Sequence, residues 1–130
     1  MLTKSPSGAL SPYYYKGGQI HGMHYGSYLD DMEALSKMML EEERFVMRSP
    51  GGRRILIDLY ETNLTKAMLS EMVNHIERMS SRIIKLAFAG NDKGVFRKIN
   101  NLLLKSKSLD RSQLYFCNDM EDGKTWLVGE

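Results

Sequence analysis

The 130-residue chain is 42% hydrophobic and 26% charged, proportions that fit one folded domain and argue against wholesale disorder. Its 18 Lys and Arg residues face 16 Asp and Glu, a net charge of +2, which lacks the concentrated basic excess of a nucleic-acid or anionic-membrane surface. No stretch approaches the ~18 apolar residues of a membrane helix, and the single cysteine, Cys117, forms no internal disulfide, so a reducing, cytoplasmic setting is expected.

In chain order, Met1 to Pro12 is rich in Ser, Pro and Gly without periodicity. It has Lys4 but no apolar segment of the kind a secretory signal needs, and the expectation over 1–12 is a disordered tail preceding a domain at 13–130. Pro12 to Tyr28 is aromatic and glycine-punctuated, with Lys16-Gly17-Gly18-Gln19 as a turn between short edge strands. Leu29, Met32, Leu35 and Met39 recur every three or four residues, which predicts a helix from Tyr28 to about Met47, stopped by Ser49-Pro50-Gly51-Gly52. Arg54 to Tyr60 is a nearly continuous apolar run, the mark of a strand covered on both faces.

Glu61 to Leu64 then reads as a loop. A helix follows to Met79, with Leu64, Met68, Met72, Ile76 and Met79 on one stripe and Thr65, with Asn63 as rival, at its N-cap. Ile83 to Ala89 is a second covered strand, ending at Gly90. Val95, Ile99, Leu102 and Leu103 mark a third helix, Gln113 to Cys117 a third strand, and Asp119 to Val128 a closing helix. This alternation implies an α/β fold with a four- to five-stranded, mostly parallel sheet and βαβ crossovers.

In such sheets ligands and regulatory groups gather beyond the carboxyl ends of the strands, here the loops Glu61–Thr65, Gly90–Lys93 and Cys117–Asp119. Thr62 and Thr65 are hydroxyls on the first. Each is a candidate phosphoacceptor, since phosphate would change how a partner docks, although capping the helix is the simpler use of Thr65. Asp58, in the strongest strand, must be hydrogen-bonded if buried and is read chiefly as an anchor for the loop that follows. His21 and His24 lie three apart in a strand or loop without clustered partners, so no metal site is expected. His75 is expected to face solvent beside Glu71 and Arg78. Cys117 has no assignable base and reads as a small apolar filler. The methionines Met32, Met38, Met39, Met68, Met72 and Met79 read as core, with an adaptable groove as the lesser use. Nothing identifies a catalytic apparatus or a cofactor motif.

The strand Ile55-Leu56-Ile57-Asp58-Leu59, the helix opening Asn63-Leu64-Thr65-Lys66-Ala67, the strand end Leu86-Ala87-Phe88-Ala89-Gly90 and the string Tyr115 to Leu127 together resemble the STAS domain family. Its best-known members are anti-anti-sigma factors, and the string from Tyr115 is similar to a diverged branch of small bacterial proteins. The resemblance covers about Gln19 to the C-terminus. It implies a non-enzymatic regulatory module, in which a hydroxyl opening the helix after the second strand is phosphorylated by a partner kinase; Thr65 matches that position, while the family's Asp-Ser-Ser-Gly run is absent here. The implied partner is a regulatory protein of the kinase or sigma-regulator type. It would dock on a face carrying Asp58, Asn63, Thr65, Gly90, Asn91 and Asp92. The alternative implied by diverged relatives is a small or lipid-like ligand held in an apolar groove.

Overall fold

The computed structural model describes residues 3–11 and 13–129. Two short antiparallel strands, β1 (Thr3–Lys4) and β2 (Leu10–Ser11), form a hairpin. The main sheet runs β3 (Tyr13–Tyr15), β4 (Gly18–His24), β5 (Arg53–Asp58), β6 (Ile83–Ala89) and β7 (Leu114–Cys117), in that spatial order. β3 and β4 pair antiparallel, and the other three pairings are parallel. The helices are α1 (Met32–Arg48), α2 (Lys66–Met79), α3 (Lys93–Ser106) and α4 (Met120–Val128). The α/β class and the five-stranded, mostly parallel sheet therefore agree with the sequence.

Local chemistry explains most boundaries. Lys16 and Gly17 both take positive φ, 46° and 86°, the backbone that a two-residue hairpin turn requires. Asp31 Oδ1 accepts from Ala34 N at 3.1 Å and Thr65 Oγ1 from Met68 N at 3.1 Å, so each satisfies a free amide at a helix start. The Asp31 cap shifts the start of α1: the helix predicted from Tyr28 begins at Met32, and Leu29, assigned by periodicity to its apolar stripe, lies in the preceding loop.

The strands alternate between two cores. Each crossover moves one strand further in the same direction, which places α1, α2 and α3 on one face. There Ile55, Ile57, Leu86 and Phe88 pack with Leu35, Met39, Met72, Ile76 and Ile99. The six methionines of the predicted stripe all belong to this core, Met32 and Met38 from its margin. Leu56, Ala87, Ala89 and Cys117 face the other way, toward Leu127 and Trp126 of α4. The small residues let α4 come close: a Cβ on Gly123 would lie 3.0 Å from Cys117 Sγ and from Leu56 Cδ1.

Two departures from the sequence reading concern polar groups. Where a disordered tail is expected, residues 3–11 fold back, and Ser7 donates its backbone N, at 2.9 Å, and its Oγ to the fully buried Glu42. Glu42 also receives His21 Nε2 at 2.9 Å. Burial pushes the Glu42 carboxyl up, but the hydrogen bonds from His21 and Ser7 outweigh it and hold the group below its usual range. His75, expected at the surface, is fully buried. It joins Tyr25 Oη at 2.8 Å to Glu43 Oε1 at 2.9 Å, and Arg78 closes the chain on Glu43. The apolar stripe of α2 is wide enough to flank His75 with Met72, Ile76 and Met79. Burial pulls its imidazole below the usual value, opposed by Glu43.

Ile57 is fully buried at the centre of the larger core. Ile57→Ala is expected to lower unfolding stability by about 2–5 kcal/mol through lost burial and the cavity left behind. Leu102→Ala, at a partly covered surface position, is expected to cost less, about 1 kcal/mol. Urea titration followed by circular dichroism measures both.

Candidate functional site

Parallel pairing in register puts His24 beside Asp58, Asp58 beside Ala89 and Ala89 beside Cys117. The last residues of four strands thus form one row, and the chain leaves each into a loop that opens a helix. Each opening is capped by a side chain: Asp31, Thr65, Asp92 and Asp119. The free amides of these helix starts are therefore partly engaged already.

The loops are tied to one another. Ser27 N donates to Tyr60 O at 2.6 Å, Leu29 N to Glu61 O at 2.8 Å, and Asn63 N to Leu29 O at 2.8 Å. Asn91 Nδ2 reaches Leu59 O and Thr62 O at 3.3 and 3.1 Å, and Tyr60 Oη reaches Asn118 O at 3.2 Å. Gly90 sits at φ +91°, where a Cβ would fall 2.6 Å from the Tyr60 ring, so only glycine fits.

Asp58 is the anchor. It is 7% exposed, and its two oxygens are divided between His24 Nδ1 at 2.5 Å and Gly26 N at 3.1 Å. Its hydrogen bond raises the His24 pKa above the usual 6.5, against partial desolvation of the ring. The shift carries a definite pH sense. A folded pKa above the unfolded value contributes stability that is fully present below about pH 6.5 and is lost as pH rises through the folded pKa.

The six residues of the predicted face are unevenly presented. Asn63, Thr65 and Asp92 are exposed, Gly90 and Asn91 are half-buried, and Asp58 lies beneath, holding the surface rather than forming it. The two threonines also differ. Thr62 is 4% exposed; its hydroxyl donates to Tyr25 O at 2.7 Å and accepts from Tyr28 N at 3.2 Å. Thr65 is exposed and uses its oxygen only as the cap of α2.

Leu29 was missed by sequence reasoning as a surface residue. It is 58% exposed with φ +52°, between Ser27 at +67° and across from Glu61 at +54°. Left-handed backbone at a branched residue is uncommon and costly, and here the hydrogen bonds to Glu61 and Asn63 hold it. Its signal in the sequence is slight: an apolar residue directly before Asp30-Asp31, which cap and charge the helix start.

Other candidates resolve differently. Burial pushes the Cys117 thiol up to about 11, with Asp122 and Asp119 adding to the effect, and Sγ lies 3.3 Å from Phe88 O; a nucleophilic thiolate is disfavoured at neutral pH. His21, His24 and His75 each contact a different carboxylate, and among the described residues no group of three His, Cys, Asp or Glu could hold a metal ion. No helix of the described residues is long and apolar enough to cross a membrane. No family model, curated protein or solved structure matches the chain.

The His24 titration, followed by NMR, is expected to have its midpoint above 6.5 in the wild type. In Asp58→Asn, which removes the charged acceptor, the midpoint is expected to move down toward the unperturbed value. An unchanged midpoint would mean that the pair does not form in solution.

Proposed function

We propose that the chain is a non-enzymatic regulatory module of STAS type, which docks a protein partner on the loops beyond the carboxyl ends of β4 to β7. The observation that carries this reading is the row His24–Asp58–Ala89–Cys117, from which four cross-tied loops present Leu29, Asn63, Thr65 and Asp92 on one side of the molecule. Leu29, exposed and held in a costly backbone conformation among polar groups, is the apolar contact this reading assigns to the face. The partner class is a regulatory protein of the kinase or sigma-regulator type. Thr65 is the candidate acceptor, because Thr62 is buried and spends its hydroxyl on holding the loop. A phosphate on Thr65 would add charge at the start of α2, favourable to the helix dipole, and change the face that a partner meets.

A second reading has its own support. β2, β4 and α4 enclose a cavity of about 270 Å³ lined mainly by Ala9, Leu10, Tyr13, Ile20, Leu56 and Met120, which suits a small apolar ligand better than the methionines of the main core do. A fatty-acid series that raises the melting temperature would favour it.

The docking face is tested by quantitative capture from extract of the source cells, comparing wild type with Leu29→Asp, the pair Asn63→Ala and Thr65→Ala, and the remote control Arg111→Ala. Proteins enriched by wild type are expected to be recovered about tenfold less by the loop variants, a loss of ~1.4 kcal/mol, and equally by the control. Equal recovery by all would contradict the proposal. Phosphopeptide mapping of the native protein checks Thr65 separately.

A further inference from the structure

At the opposite pole of the sheet, the starts of β4 and β5 and the last turns of α1 enclose a cavity of about 530 Å³, within the range of small-ligand sites. Arg53, Arg54, His21, Phe45, Ser11 and Gly18 are among its lining residues, and no Asp or Glu is. Consecutive residues of a regular strand point to opposite faces. Here the pairing with β6 slips by one residue, from Arg53↔Ile83 to Arg54↔Lys85, and both arginines line the same cavity. Such irregularities re-aim side chains.

The two guanidinium groups have unmet demands. Nε of Arg53 and Nε of Arg54 are both buried without a hydrogen-bond partner, and neither arginine is in an ion pair among the described residues. A buried donor on a permanent cation is costly unless an acceptor meets it. Glu42, the carboxylate bonded to the lining residue His21, is already taken up by His21 and Ser7. The half-buried Phe45 ring, stacked on the buried His21 ring with centroids 5.4 Å apart and planes 14° from parallel, is the aromatic side chain of the lining with accessible surface.

We propose that this cavity binds a small phosphomonoester, its phosphate held between Arg53 and Arg54 and its organic body beside Phe45. Two permanent cations match a dianion, and guanidinium forks match phosphate oxygens in pairs. A lone phosphate would leave most of the volume empty, so the ligand carries a further group.

The Nε–H resonances of Arg53 and Arg54, resolved by ¹⁵N NMR of the full chain, report binding directly. The probes are inorganic phosphate, phenyl phosphate and glycerol phosphate, each against sodium chloride at equal ionic strength. Both resonances are expected to shift saturably with all three phosphates. Phenyl phosphate is expected to bind about tenfold more tightly than inorganic phosphate if the body is aromatic, and glycerol phosphate if it is polar and non-aromatic. Arg54→Gln is expected to weaken the tighter ligand at least about tenfold and Arg54→Lys, which keeps charge without the fork, by less. Arg53→Gln and Arg53→Lys form an independent pair should an Arg54 variant fail to fold. Shifts no larger than with chloride, neither ester binding more tightly than inorganic phosphate, or Gln variants that bind like wild type would each overturn the proposal.

Discussion

The register of β4 to β7 is the constraint on which the rest of the structure depends. Parallel pairing fixes where each strand ends relative to its neighbour, and in this chain all four end on one line at His24, Asp58, Ala89 and Cys117. A side chain placed on that line can hold a neighbouring strand end and the loop that leaves it. Asp58 does so, with one oxygen on the His24 ring at the end of β4 and the other on the Gly26 amide just beyond it. The loops beyond it exchange backbone hydrogen bonds with Ser27, Leu29 and Glu61 in left-handed backbone.

The two ends of the sheet have different chemistry for the same topological reason. Strands leave the sheet at the carboxyl end into capped helices, so that end is tiled with short polar loops. At the amino end the chain enters β4 from the β3 hairpin turn and β5 from the Gly51-Gly52 turn after α1, and Gly17, Gly18 and Gly52 lie with the two arginines on the cavity lining. The histidines His24 and His75 also divide by pH sense. His24 contributes stability on the acid side of its raised pKa, whereas His75, lowered mainly by burial, favours the fold when neutral, and that contribution is lost as pH falls below about 6.5. The two contributions to stability thus have opposite pH dependence.

What the sequence revealed was what is local. Ile83 to Ala89 is an apolar run between Arg82 and Gly90, and the strand keeps those bounds. Thr65 precedes an unbroken stripe and caps it. The missed features join residues far apart in the chain: Ser7 to Glu42, His21 to Glu42, Tyr25 to His75, His24 to Asp58. No spacing rule reports such pairs, so the N-terminal hairpin read as a tail and His75 as a surface residue. Leu29 fell on the wrong side of a boundary because its spacing to Met32 continues the helical period, while Asp31 stops the helix before reaching it. Asp58 alone carried a usable signal, a carboxylate within an otherwise apolar strand, and that signal named the anchor without naming what it holds.

Native-state hydrogen exchange in wild type and Asp58→Asn tests the anchored register most directly. The amides of Gly26, Ser27, Leu29 and Asn63 are expected to lose protection together in the variant, while those of Ile57 and Phe88, paired within the sheet, exchange as in wild type. Wild-type protection at the four loop amides, or an equal loss at Ile57 and Phe88, would contradict the account.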